Sequence, residues 1–418
     1  MSLPLTAKVN GKNHLEVGGC DVVELAKKYG TPLYIIDEDA LRNNCRGYLT
    51  AFRDQYPNTE ICFASKALCA TGIAKIIADE GLGFDVSSGG ELYTVLKAGA
   101  DPAKIVFHGN NKTLSEIEEG LKAGIGYFAV DNEEELANLD KAAGKLHKQA
   151  KIIIRINPGI DAHTHEFIQT GKIDSKFGVP SDQLEDFIAK VQKKKNIKLE
   201  GFHAHIGSQI LDIKPFVEEA KILLQLTEKY KTGIINIGGG LGISYLPDQK
   251  PPLLVDFAKE IINEIKGKTE AKLILEPGRS IIGATGVTVY TVGVVKDIPG
   301  IRKYVIVDGG MSDNPRPILY DAKYEALLAN KAGDEGEETV TVAGRFCESG
   351  DILIKDVKLP KIAASDLLVM TCTGAYTYSM ASNYNRVPRP AMVSVSKGRS
   401  TLLIKRESYK DLVINDAV

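Results

Sequence analysis

Between residues 61 and 275, short apolar runs rich in Ile, Val and Phe alternate with longer stretches whose apolar side chains recur at helical spacing. The runs cover residues 61–65, 83–86, 104–107, 127–130, 151–156, 199–204, 234–237 and 272–275. Each has the length of a buried strand, and each leaves room for a helix before the next. Helices are predicted over 88–97, 113–122, 181–193, 214–230 and 253–266. Thr113, with Glu116 three residues on, has the form of a capping box. Eight successive β-α units favour a closed, TIM-like (β/α)8 barrel; an open doubly wound sheet is the alternative.

Beyond residue 280 the pattern changes. Residues 287–295, 304–307, 338–342, 351–353 and 367–371 read as strands without regular helices between them, punctuated by Gly and Pro. This predicts a C-terminal, mainly antiparallel β domain, to which residues 32–36 add a strand. The expected division is a barrel over 36–280 and a β domain made of 1–35 and 281–418.

Composition changes the picture only by exclusion. The chain has 418 residues, 44% apolar and 25% charged, with 52 basic against 54 acidic side chains. That balance speaks against a nucleic-acid partner, which usually meets a basic excess. No apolar run approaches the ~20 residues of a membrane span, and no signal peptide is evident, so no membrane partner is expected. Six scattered cysteines without CxxC pairs argue against a zinc ribbon or disulfide scaffold and suit a reducing cytoplasm.

In a barrel, chemistry gathers where strands end. The first strand runs into Ser65-Lys66-Ala67, the second ends at Asp85, and the third at His108. The sixth continues as His203-Ala204-His205-Ile206-Gly207-Ser208, the seventh as Gly238-Gly239-Gly240-Leu241-Gly242, and the eighth as Glu276-Pro277-Gly278-Arg279. The glycines form either a backbone nest for an anion or simply a tight turn. Lys66 is either a solvated strand-end lysine or an amine of lowered pKa able to form a Schiff base. Glu276 either pairs with Arg279 or faces a pyridine nitrogen and keeps it protonated. His205 either lies against a ring or joins His203 as a metal ligand, with His163 and His165 as a second such pair; no metal is expected.

Together, Phe63-Ala64-Ser65-Lys66-Ala67 and the three later motifs resemble the fold-type III pyridoxal-phosphate decarboxylases. That family joins a barrel of the alanine-racemase type to a C-terminal β domain. The likeness runs over nearly the whole chain. It is strongest to the branch acting on meso-2,6-diaminopimelate, on residues 157–165, 170–172, 175–178, 313–320, 347–351 and 374–376.

The resemblance implies pyridoxal 5'-phosphate as cofactor, an amino-acid substrate, and a homodimer with shared active sites. It implies Lys66 as the lysine that holds the cofactor, His205 against its ring and Glu276 at its nitrogen. Asp85 and Tyr376 would also touch it. Ser208, Gly239, Gly240, Gly278 and Arg279 would hold its phosphate. Arg279, Arg316, Tyr320, Glu348 and Tyr376 would bind substrate. Cys347 would donate a proton, reaching in with Glu348 from the partner subunit. The nearest alternative in the same fold is an ornithine- or arginine-type decarboxylase, which typically has Asp where this chain has Glu348. A racemase would be expected to place an arginine at the pyridine nitrogen.

Overall fold

A computed structural model describes residues 2–160 and 176–417. The chain forms two compact units. One consists of Asn44–Gly242 and Pro251–Ser280, the other of Met1–Asn43, Ile243–Lys250 and Ile281–Val418.

The first unit is the barrel. Its strands are β1 (Thr59–Ala64), β2 (Gly83–Val86), β3 (Ile105–Phe107), β4 (Tyr127–Val130), β5 (Ala150–Asn157), β6 (Ile197–His203), β7 (Ile234–Asn236) and β8 (Lys272–Leu275). Each pairs in parallel with the next, and β8 closes on β1 through Leu273 opposite Thr59. Closure excludes the open sheet. All eight predicted strands occur, with ends shifted by a residue or two.

The helices follow their local signals. Thr113 caps Leu114–Ala123 in a complete capping box with Glu116. Ser88 accepts from the Glu91 N–H at the start of Gly89–Lys97. Lys214–Tyr230 and Leu254–Ile265 lie where the spacing places them, whereas 181–193 splits into a short 3-10 turn and Leu184–Gln192. The helices Thr71–Asp79 and Glu133–Lys145 complete the ring.

Side chains alternate across each strand, so every second residue points into the barrel. Cys62, Val106, Ala129, Ile153, Ile234 and Ile274 form a dry apolar layer there. Two residues further along their strands stand His108, Arg155, Asn236 and Glu276, all buried; His203 stands two residues beyond Gly201, which pairs with Ile234. A polar layer therefore rests on an apolar floor at the C-terminal end of the strands.

The second unit is built on a sheet whose long strand, Gly286–Ile298, pairs with Leu33–Asp37, Leu367–Met370 and Arg302–Val307, in each case antiparallel. Parallel pairs also occur, between Arg302–Val307 and Glu338–Ala343 and between Ala391–Ser396 and Leu33–Asp37. Alternation buries both faces: Val287 and Val289 join one apolar cluster, Tyr290 and Val292 another. The small sheet of Lys8–Val9, Leu15–Val17 and Cys20–Asp21 and the hairpin of Ala391–Ser396 with Arg399–Ile404 were not foreseen. None of the six cysteines is disulfide-bonded.

Asp313 is buried in this unit and accepts hydrogen bonds from Tyr290 Oη (2.6 Å) and the Gly310 N–H (2.8 Å). Burial pushes its carboxyl up to about 7, against those bonds. The folded state thus keeps a proton that the unfolded chain releases near pH 4. The stabilisation is complete below that pH and is lost as pH rises to about 7, on the order of 4 kcal/mol in all. Asp313→Asn is expected to remove about one proton's worth of slope from the stability profile in this window. Urea midpoints measured between about pH 4 and 8 check it, and an unchanged slope refutes it.

Candidate active site

Lys66 follows β1 in a 3-10 turn, Ser65–Ala67, and its Nζ lies 3.4 Å from Oδ2 of the buried Asp85 at the end of β2. The turn ends the strand and lifts the lysine above the polar layer, where its side chain is 45% exposed against 2% for Asp85. Glu91, which sequence reasoning passed over, accepts the Ser87 N–H nearby. Burial, followed by the charge of Asp85, pushes its carboxyl up to about 7 against that bond and the charge of Lys66.

Glu276 stands at the mouth end of β8 and is buried. Asn236 Nδ2 donates to its Oε1 (2.6 Å), and His108 Nε2 lies 2.8 Å from the same oxygen. His203 Nε2 is 3.3 Å from Oε2. Burial alone would raise this carboxyl. Its histidine partners, His108 first, outweigh it and hold Glu276 well below the usual carboxylate range. Its partners are thus two histidines and an asparagine. His203, weighed earlier as a metal ligand with His205, instead meets His108 with ring centroids 4.6 Å apart. His108, His203 and Glu276 offer ligand atoms within 4.8 Å of one another, the donor set of a metal site. The Asn236 amide on Glu276 Oε1 makes it equally a carboxylate held by donors.

His205 Nδ1 accepts from the Gly239 N–H (3.3 Å), which puts the ring proton on Nε2. Burial, and then the charge of Lys66, lowers its pKa well below the usual histidine value, so the imidazole is neutral. Burial likewise pulls His203 down to about 4.

The loops after β6, β7 and β8 meet at one rim. Arg279 Nη2 donates to Ser208 Oγ (2.9 Å), and the Asn236 Oδ1 accepts the Gly238 N–H (2.9 Å). A Cβ on Gly239 would stand 2.2 Å from the Glu276 carbonyl oxygen; one on Gly240, at φ +121°, would stand 2.5 Å from that of Gly207. Only glycine lets the loop pack this closely. Gly278 lies against Ala64 and Ala67, so the rim sits directly over the lysine turn. A hydroxyl, a guanidinium and glycine backbone on one rim suit a phosphate. An amine, a neutral imidazole and a buried anion beside it suit an aldehyde-bearing pyridine. The residues present fit pyridoxal phosphate.

The remaining candidates lie in the second unit. Arg316 is buried at the start of the helix Arg316–Tyr320; its Nη1 donates to Tyr245 Oη (3.1 Å) and to Tyr324 Oη, and the two rings meet edge to face. Tyr245 and Tyr324 were not foreseen. Tyr320 is half-buried. Tyr376 is half-buried in the left-handed region, at φ +58°. Cys347 and Glu348 are exposed; the Cys347 N–H donates to Asn385 Oδ1 (3.3 Å), and Tyr384 Oη donates to Glu348. His163, His165 and the segment 170–172 lie outside the described residues.

Three comparisons set this site among known proteins. Residues 42–283 match the family of the pyridoxal-dependent decarboxylases, pyridoxal binding domain. A diaminopimelate decarboxylase of Bacillus methanolicus is 47% identical over 97% of both chains, and one of Bacillus subtilis is 44% identical over 99% of this chain and 97% of its own. A crystal structure of diaminopimelate decarboxylase from M. jannaschii in complex with L-lysine superposes with a TM-score of 0.94 at 36% identity, covering 100% of this chain and 99% of the other.

Proposed function

The chain belongs to the pyridoxal-dependent decarboxylases, and we propose that it converts meso-2,6-diaminopimelate to L-lysine and CO₂. The observation that carries this reading is the 47% identity to a named diaminopimelate decarboxylase along 97% of both chains. Pyridoxal phosphate, when bound, supplies an aldehyde for the substrate amine and a pyridinium that accepts the electron pair left as CO₂ departs.

The roles fall to this chain's residues as follows. Lys66, with Asp85 beside it, would hold the cofactor and supply the amine that frees the product. Glu276 keeps the ring nitrogen protonated. Its buried anionic state supports this role, because a neutral acid would not hold a pyridinium proton. His205 would lie against the ring; as a neutral imidazole it would add no charge to oppose the pyridinium. Ser208, Gly239, Gly240, Gly278 and Arg279 hold the phosphate. Tyr376 touches cofactor and substrate.

Arg316, Tyr320 and Arg279 take the substrate's carboxylates, and Glu348 takes its distal ammonium. A guanidinium suits a carboxylate because both are planar and pair through two hydrogen bonds. The Cys347 thiol protonates Cα. The exposure of Cys347 and Glu348 supports their acting from the partner subunit of a homodimer. Six cysteines with no disulfide among them support a reducing compartment, the cytoplasm.

Purified protein with pyridoxal phosphate is expected to release lysine and CO₂ from meso-diaminopimelate. Turnover of ornithine or arginine, with none of diaminopimelate, would overturn the assignment.

A further inference from the structure

The polar layer of the barrel holds more than a decarboxylase site accounts for. Of its members, Glu276 has a role under the proposed function; His108 and Asn236 have none. Both are buried, at 4% and 0% exposure, and both aim a nitrogen at the same oxygen of Glu276. The three come from different strands, with His108 and Asn236 standing 168 and 40 residues from Glu276 along the chain.

We propose that His108 and Asn236 are positioning residues for Glu276. Their two N–H donors engage Oε1, fix the carboxylate as an anion, and leave Oε2 as the acceptor for the ring nitrogen. The inference rests on the assignment of Glu276 to that nitrogen.

A carboxylate taken out of water loses several kcal/mol of hydration unless donors replace it. Here burial acts to neutralise Glu276, and a neutral acid could not hold a pyridinium. An ionised carboxylate has about four acceptor positions on its two oxygens. Oε1 has two donors at 2.6 and 2.8 Å, within charge-assisted hydrogen-bond range. Oε2 has His203 at 3.3 Å, beyond the usual length of such a bond.

Asn236 is itself fixed, because its Oδ1 accepts the Gly238 N–H and so commits its amide nitrogen to Glu276. One asparagine thereby ties the carboxylate to the glycine loop. His108 faces Glu276 with Nε2, so its proton must be on that nitrogen. Asp85 Oδ1 lies 4.0 Å from the same Nε2. The ionisable groups that bear on this cluster from other elements are Arg155 on β5 and Glu219, which burial favours as the neutral acid, on the helix Lys214–Tyr230. Mere filling of the barrel by polar side chains would not require two donors on one oxygen.

The test uses holoenzyme loaded with pyridoxal phosphate labelled with ¹⁵N in the ring, whose NMR shift reports protonation of that nitrogen. The unaltered enzyme is expected to hold it protonated at about pH 8. His108→Leu is expected to move the signal to the unprotonated position at that pH, and His108→Gln, which keeps an N–H donor, to restore it. Asn236→Ala removes the other donor and is expected to shift the signal in the same direction.

A protonated nitrogen in unaltered, His108→Leu and Asn236→Ala enzymes alike overturns the inference and leaves the proposed function standing. An unprotonated nitrogen in the unaltered enzyme overturns the role of Glu276 itself. A second readout needs no variant: ¹⁵N–¹H correlation spectra of the histidines in the unaltered holoenzyme should place the His108 proton on Nε2. A proton on Nδ1 alone overturns the inference whether or not the variants fold.

Discussion

Lys66→Ala is expected to lower kcat by on the order of 10,000-fold or more and to leave the cofactor bound only by its phosphate and ring contacts. The loss is large because, under the proposed function, one side chain serves twice, as the covalent anchor and as the amine that releases product. Its surroundings support that use. The 3-10 turn Ser65–Ala67 carries it off the end of β1, Asp85 stands 3.4 Å away, and the glycine rim lies directly above. The substitution removes a half-exposed side chain, so stability should change little. Two measurements check it: turnover, and the mass of the borohydride-reduced protein, which should no longer carry the cofactor. A reduced adduct surviving in Lys66→Ala would mean that another lysine holds it.

How far the site was legible in the sequence depended on the range of the signal. The strands were readable because each is a local run, and the capping box at Thr113 and Glu116 because its two halves are three residues apart. Lys66, His205, the glycine loop and Glu276 announced themselves as strand ends. Their partners did not. His108 was visible as a strand end but had no role to play there, since the carboxylate it meets lies 168 residues on. Asn236 closes β7 two residues after Ile234, so alternation alone places it in the barrel beside Glu276, but the glycines that follow carry the stronger local signal. Tyr245 and Tyr324 had no periodic signal, because both sit in loops and meet only at Arg316.

The second unit was less readable for a related reason. Its first strands are two or three residues long, too short for any alternation to show. Its long strand, Gly286–Ile298, is buried on both faces along its first half and so reads as a continuous apolar run rather than an alternating one. Such a run gives the strand but not its neighbours. Pairing with Leu33–Asp37, some 250 residues earlier, is set by tertiary packing alone.

Arg316→Met is expected to reduce kcat/KM for meso-diaminopimelate by on the order of 1,000-fold, with most of the loss specific to substrates carrying a second carboxylate. The geometry explains both magnitude and selectivity. Arg316 is buried, and a guanidinium out of water must be compensated. Tyr245 and Tyr324 supply hydroxyl acceptors to one of its nitrogens, Nη1. They outweigh the effect of burial and hold the guanidinium charged.

Two phenol hydroxyls engage part of the fork; among the described residues no carboxylate pairs with it, and a bidentate substrate carboxylate would supply that partner. With Arg316 in the proposed role, a substrate such as ornithine, which lacks the second carboxylate, would leave that charge unmatched, and this mismatch would make the site selective. Methionine keeps the length and apolar stem of arginine but brings no charge, so selectivity rather than folding should bear the loss. Arg316→Lys should recover little, because a point charge cannot reproduce the fork. Kinetics on meso-diaminopimelate and on a substrate lacking the second carboxylate separate the outcomes: an equal fall for both would mean that Arg316 only supports the fold.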